Sequence, residues 1–224
     1  MYKSMEREIS VPTHRELNKS HTEFGIDLYW LPLGAGGWFV KFNGRVFEAL
    51  QARMEHRAAL DLYHSALVVR VPEGEFVIEQ CWPLPDPDGA TRGGVVIRGP
   101  VGSRHMERFR LFQYEIRRWL DGLISDIDEA VESPLHLSND AARARRLLDL
   151  VGSLPTLVWG RDELGTGEMW NSNSVISWLL AASGLPTELI RPPAGGRAPG
   201  WKAGLIAAKR VKAGSRVDLI PATS

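Results

Sequence analysis

The sequence contains a single cysteine, Cys81, among its 224 residues. One thiol cannot form a disulfide within the chain, and it cannot supply a cysteine-based metal site. No stretch approaches the roughly eighteen apolar residues of a membrane-spanning helix, and the first residues lack the apolar core of a signal peptide. These absences predict a cytoplasmic protein without a transmembrane segment, and no motif implies a metal or an organic cofactor.

Net charge is also absent, because 27 Lys and Arg residues balance 27 Asp and Glu residues. This balance argues against nucleic acid as a general partner. The distribution is uneven, however: residues 191–224 hold seven basic residues and one acidic residue. We expect three parts: a polar N-terminal segment at 1–24, one domain at 25–190, and a basic C-terminal tail at 191–224. The charges of the tail favour contact with the acidic body of the domain, with nucleic acid or anionic lipid as the alternatives.

Residues 169–186 predict the central helix of that domain. Four residues that favour helix starts, 171–174, precede a strongly apolar run that ends at Gly184. Ser172 lies three, four and seven residues before apolar positions, so it begins the inward-facing stripe. The positive end of a helix stabilises oxyanions, which makes Ser172 a candidate nucleophile; a helix cap without catalytic function is the alternative.

Two apolar runs, 63–71 and 75–82, predict a β-hairpin across a short Pro-Glu-Gly turn. His64 lies at the start of the first strand and Glu79 near the end of the second, so antiparallel pairing brings their regions side by side. A carboxylate beside an imidazole raises its basicity and fixes its tautomer, as a general base requires. The alternative is that both are surface residues of half-exposed strands. Cys81 has the same strand parity as Glu79 and is a rival nucleophile, but it lacks a helix start.

The remaining patterns predict a strand over residues 25–33, a glycine-rich turn at 34–37, and a short strand near 94–99. Apolar spacing over 109–131 predicts a long helix or a pair of helices broken near Gly122, and a further helix is expected over 140–151. Together they form a predicted helical insertion over about residues 104–151. Trp170, directly before the central helix, is a candidate for lining a substrate pocket.

The order of these motifs resembles the circularly permuted papain-like fold of the NlpC superfamily, in its lecithin:retinol acyltransferase-like branch. Members carry a His strand before a helix that opens with Asn-Cys, which is similar to His64 followed by Asn171-Ser172. The chain is most similar to an uncharacterised bacterial family with an Asn-Ser-Asn-Ser/Thr run at this place. The resemblance covers about residues 25–186. It implies an α+β fold, with a small antiparallel sheet packed on the central helix.

The resemblance implies a hydrolase or acyltransferase that acts on an amide, ester or peptide-like bond. Ser172 would attack, His64 would transfer protons and Glu79 would orient His64, while Asn171 and Asn173 are candidate oxyanion donors. The chain departs from the family at two positions, since Ser172 replaces the Cys and Glu79 replaces a His or polar amide. Either the acid compensates for the weaker nucleophile, or the chain is an inactive module that binds an acyl chain or a peptide.

Overall fold

The computed structural model describes residues 23–33, 61–83, 94–124 and 126–214. Within these ranges the chain forms an α+β domain, as predicted. The predicted N-terminal segment up to residue 22 and the glycine-rich turn at 34–37 lie outside the described residues. The described elements are strands β1 (Gly25–Pro32), β2 (Asp61–Val71), β3 (Gly74–Cys81), β4 (Val95–Pro100), β5 (Gln113–Leu120), β6 (Leu135–Ser138) and β7 (Gly196–Arg197), and helices α1 (Ala141–Leu150), α2 (Ser172–Ala182) and α3 (Trp201–Lys212).

Six of these strands form one antiparallel sheet in the order β4-β5-β3-β2-β1-β6. The predicted hairpin is confirmed, because β2 pairs with β3 in a register that places Leu67 opposite Ile78 and Val71 opposite Gly74. The predicted strand at 25–33 is confirmed as β1, and the strand near 94–99 is confirmed as β4. The short strand β7 pairs in parallel with the beginning of β2.

The two faces of the sheet have different partners. On one face, residues such as Trp30, Leu67 and Ile78 form the main core with the three helices. We call this the helical face. On the other, here the second face, a smaller cluster contains Leu31, Val68 and other apolar side chains. Because side chains alternate along a strand, a residue's parity decides which face it reaches.

The helix predicted over residues 109–131 is wrong, because Gln113–Leu120 form strand β5 in the interior of the sheet. The helical insertion expected over about 104–151 is therefore correct only for α1, where Asp140 caps the helix by accepting a hydrogen bond from Arg143. In β5, Tyr114 and Ile116 enter the core while Glu115 and Arg117 are buried on the second face. The alternation of apolar and charged residues is reversed at Arg118 and Trp119, so it is too short to outweigh the helical spacing of the surrounding apolar residues.

The central helix is confirmed as α2, and nine of its eleven residues are buried. It begins at Ser172, and its C-terminal turn ends at Gly184, whose φ of 89° favours glycine. The prediction of a separate tail is corrected at residues 201–212, because they form α3, which packs along α2. No helix in the described part of the chain is long and apolar enough to span a membrane.

Candidate functional site

The start of α2 is closed by a reciprocal capping arrangement. The side-chain oxygen of Asn171 accepts hydrogen bonds from the backbone N–H groups of Asn173 and Ser174, at 3.0 and 3.3 Å. In return, the Ser174 hydroxyl oxygen accepts from the backbone N–H of Asn171, at 3.1 Å. These bonds satisfy N–H groups that the first turn of a helix leaves without intrahelical partners. The capping interpretation of the Asn-Ser-Asn-Ser run therefore holds for Asn171 and Ser174.

Asn173 is buried and connects three parts of the chain. Its amide nitrogen donates to the backbone oxygens of Tyr63 and Pro199, both at 2.9 Å. Its amide oxygen accepts from the Ser65 hydroxyl at 2.8 Å. With both amide N–H groups engaged, the Asn173 side chain has no donor left for a bound oxyanion. It instead fixes the start of α2 to strand β2.

The segment before α3 completes the same hydrogen-bond network. The Asn171 side chain donates to the Pro199 oxygen at 2.9 Å, and the Ser174 hydroxyl donates to the Gly200 oxygen at 2.8 Å. Gly200 has a φ of 86°, and a Cβ there would collide with the Asn171 amide. Ser177 continues the contact one turn later by donating to the Trp201 oxygen at 2.8 Å. The polar residues of α2 thus hold the C-terminal segment against the domain.

Ser172 differs from its neighbours. It is the first residue of α2 and is half-buried, and its hydroxyl has no hydrogen-bond partner among the described residues. It therefore lies at the positive end of the helix with its hydroxyl available. Trp170, two residues earlier, is only 1% exposed and packs in the main core. The Trp170 backbone oxygen accepts a hydrogen bond from the Gly160 N–H, and the Trp170 N–H donates to the Arg161 oxygen. The buried ring is therefore part of the packing beside the helix start.

The structure does not bring His64 to Ser172. In the β1–β2 register His64 lies opposite Leu31, a residue of the second face, whereas Ser65 lies opposite Trp30 on the helical face. The His64 side chain therefore points away from α2. Burial lowers its pKa to about 4, so the imidazole is neutral at pH 7.

Glu79 also lies on the second face. It pairs with Arg117 of β5, which lies on the same face as Trp119 in the smaller apolar cluster. Burial lowers the pKa of Arg117, but the hydrogen bonds that Arg117 donates to Glu115 and the neighbouring negative groups, Glu79 among them, raise it on balance. His64 and Glu79 thus share a face, as their parity implies, but Ser172 lies across the sheet from both.

A group of charges occupies the second face next to Glu79, with Glu115 and Arg117 buried and Arg98 exposed. Both Arg117 and Arg98 donate to the Glu115 carboxylate, with the Arg117 contact at 2.5 Å and the Arg98 contact at 3.2 Å. Burial raises the pKa of the Glu115 carboxyl, but the hydrogen bonds and charges of the two guanidinium groups lower it by more. The pKa of Glu115 therefore lies below the usual glutamate value. Cys81 lies opposite Glu115 in the β3–β5 register. Cys81 therefore shares this face, and it too points away from the start of α2.

One polar residue of the helical face was missed by sequence reasoning. Gln80 pairs with Ile116, a core residue of the helical face, and both polar atoms of its amide are buried without a hydrogen-bond partner among the described residues. It shares this face with Ser65, which bonds Asn173. The sequence could have indicated this position through the hairpin. A turn that pairs Val71 with Gly74 sets a register in which Ser65 and Gln80 lie on the same face of the sheet.

Aromatic side chains lie near the same end of the sheet. Trp82 and Trp159 are in ring contact, with centroids 4.9 Å apart. Trp159 also forms bridges with Val101 and Trp170, which places this pair beside the segment that leads into α2. Tyr114, on the helical face, donates its hydroxyl to the Leu157 oxygen at 2.9 Å. These side chains give the surroundings of the helix start an apolar, aromatic character.

Within the described ranges, His, Cys, Asp and Glu residues form no group suited to holding a metal ion. The chain was also compared with family models, curated proteins and solved structures. None of the three comparisons gives a match.

Proposed function

We propose that the chain is a non-catalytic binding module on a permuted papain-like scaffold, and that it binds an acyl chain or a peptide. The orientation of His64 carries this proposal. A general base must reach the proton that it removes. Here His64 points to the second face of the sheet, while Ser172 begins a helix on the other face.

The element order supports the scaffold. A hairpin whose first strand contains His64 precedes a central helix, and Asn173 at the start of that helix bonds strand β2 through Ser65 and Tyr63. The side chains near the helix start support the loss of catalysis, because Asn171 and Asn173 are bonded within the fold. A site retained for binding needs neither a base nor an oxyanion donor.

The side chains near this site support an apolar ligand with a polar group. The Trp82–Trp159 pair and Tyr114 are aromatic, while the Gln80 amide has a donor and an acceptor without partners in the described part of the chain. Buried amides usually have hydrogen-bond partners, so an unpartnered one favours a ligand group beside it. An acyl chain with its carbonyl group, or a peptide, combines both properties.

A serine-dependent hydrolase or acyltransferase is the second candidate. It is supported by the Ser172 hydroxyl, which has no partner among the described residues and lies at the positive end of α2. This candidate requires a proton acceptor that reaches Ser172 from the helical face.

Labelling with a fluorophosphonate probe separates the two candidates. For a binding module we expect no adduct on Ser172 in the wild-type protein, and the same result for Ser172→Ala. An adduct that mass spectrometry locates on Ser172 in the wild-type protein, and that is absent from Ser172→Ala, would overturn the proposal in favour of the hydrolase.

Binding itself is tested by tryptophan fluorescence, because Trp82 and Trp159 lie beside the site. We expect saturable quenching by a medium-chain fatty acid or by a mixed-sequence peptide pool, and weaker binding in Gln80→Leu. Ser172→Ala is the matched control and keeps the wild-type affinity. If neither ligand class changes the fluorescence of the folded protein, the binding proposal fails.

A further inference from the structure

The loop between β4 and β5 exposes apolar side chains in a short, ordered segment. It contains two single-turn helices, Arg104–Met106 and Arg110–Phe112. Phe109, directly before the second helix, is 46% exposed, and Leu111, within that helix, is 74% exposed. Single exposed apolar residues are common on protein surfaces. Two large ones within residues 107–111, here called the tip of the loop, form a local apolar surface.

Arginine residues alternate with this apolar pair. The Arg108 guanidinium lies 4.8 Å from the centre of the Phe109 ring. Arg110 lies between Phe109 and Leu111 and is also exposed, and Glu107 is the acidic residue at the same tip. The tip therefore presents apolar groups and guanidinium groups together, with a small excess of positive charge.

Hydrogen bonds hold the loop in place at its base. The Val101 N–H donates to the Phe112 oxygen at 2.8 Å, and the Gly102 N–H donates to the Trp159 oxygen at 3.0 Å. The Gln113 side chain donates to the Glu107 oxygen at 2.6 Å. Since the loop is already ordered, an interaction of its tip costs little additional conformational entropy.

We propose that this loop docks the protein on an anionic phospholipid surface. Phe109 and Leu111 would enter the region between headgroups and acyl chains, where amphipathic segments place their apolar groups. Arg108 and Arg110 would contact lipid phosphates, for which the guanidinium geometry is well suited.

The size and charge of the tip favour a membrane over a protein partner. A stable protein interface buries at least about 1,000 Å² in total. Two side chains at a loop tip offer far less apolar area than such an interface needs. A bilayer has no such requirement, because each inserted side chain gains its own transfer free energy and the basic residues gain from the anionic surface.

The location of the loop connects docking with the ligand. Gly102 bonds Trp159, and Trp159 contacts Trp82 beside the start of α2. A docked loop would bring these aromatic side chains close to the bilayer, which is a source of acyl chains. This connection rests on the proposed function, whereas docking itself does not.

Vesicle co-sedimentation of the full chain tests the proposal. We expect the wild-type protein to sediment with mixed phosphatidylcholine and phosphatidylserine vesicles, and less with phosphatidylcholine alone. The double variant Phe109→Ser, Leu111→Ser should bind the mixed vesicles at least about tenfold more weakly, since two apolar side chains no longer insert. Arg108→Gln with Arg110→Gln should remove the preference for phosphatidylserine.

Leu189→Ser is the matched control, because Leu189 is 86% exposed and lies outside the loop. It should bind vesicles like the wild type. The test measures vesicle binding and not ligand binding, so a failure of the proposed site does not affect it. Circular dichroism verifies folding of every variant. The proposal is overturned if the folded wild-type protein ignores anionic vesicles or if the double variant binds equally well. It is also overturned if light scattering shows that Phe109 and Leu111 hold an oligomer that does not bind vesicles.

Discussion

Adjacent residues at the start of α2 have different roles. Asn173 is buried and makes three side-chain hydrogen bonds, whereas Ser172 is half-buried and its hydroxyl has no partner among the described residues. A buried polar group that loses its partner costs free energy, while an available hydroxyl costs little to remove. The residue that resembles a nucleophile is therefore the one that the fold does not need.

The first prediction compares alanine at these two positions. Asn173→Ala leaves the Ser65 hydroxyl and the oxygens of Tyr63 and Pro199 without this partner, so it should lower the free energy of unfolding by about 2–4 kcal/mol. Ser172→Ala should change it by less than about 0.5 kcal/mol. Urea unfolding curves measure both. A loss below about 1 kcal/mol for Asn173→Ala would show that the network has little energetic weight.

At the scale of elements, α2 and α3 pack closely at a glycine. Gly204 faces α2, and a Cβ on it would lie far inside contact distance of the Ser174 oxygen and the Ser177 hydroxyl. Intrinsic propensity favours alanine over glycine in a helix by about 1 kcal/mol. Packing acts in the opposite direction here, because the neighbouring atoms include a backbone oxygen that cannot move alone.

The second prediction follows from this contact. Gly204→Ala should destabilise the protein by about 1–3 kcal/mol, despite its better helix propensity. Thermal unfolding measures the effect as a lower midpoint. Lys209→Ala is the control, since Lys209 is an exposed residue of the same helix. A raised midpoint for Gly204→Ala would mean that α3 is not held tightly against α2.

The sequence predicted some elements because their signals are local. Alternation, turn residues and caps identified β1, the β2–β3 hairpin and α2. Strand β5 was missed because its alternation of apolar and charged residues is reversed at Arg118 and Trp119, while apolar residues at helical spacing run through the same stretch. Spacing alone could not show whether the His64 side chain reaches Ser172, because the face of the sheet that His64 occupies depends on its register with Leu31.

At the scale of the whole molecule, pH affects stability through groups on the second face. Burial holds the pKa of His64 near 4, below the value of about 6.5 in an unfolded chain. The unfolded chain therefore binds a proton that the native protein does not, between these two values. Glu115 adds an effect at lower pH, because its pKa is lowered in the folded state: its stabilisation is present above the ordinary glutamate pKa and is lost as the pH falls through the depressed value.

The third prediction concerns the His64 window. Stability should fall by about 2 kcal/mol as the pH decreases from about 6.5 to about 4, a value that allows for the partial exposure of the residue. The variant His64→Gln should lose most of this slope, while His105→Gln should keep it, because His105 is exposed. Urea unfolding across this range measures the slopes. Equal slopes in the wild type and His64→Gln would refute the assignment.

The contacts around Pro199 and Gly200 also affect when the molecule can finish folding. During synthesis, α2 leaves the ribosome before the residues that bond Asn171, Asn173 and Ser174. Until residues 199–212 emerge, the central helix lacks α3 and the backbone oxygens that complete its network. Because Ala207 and Ala208 of α3 belong to the main core, we expect the core to close only after this helix has been made.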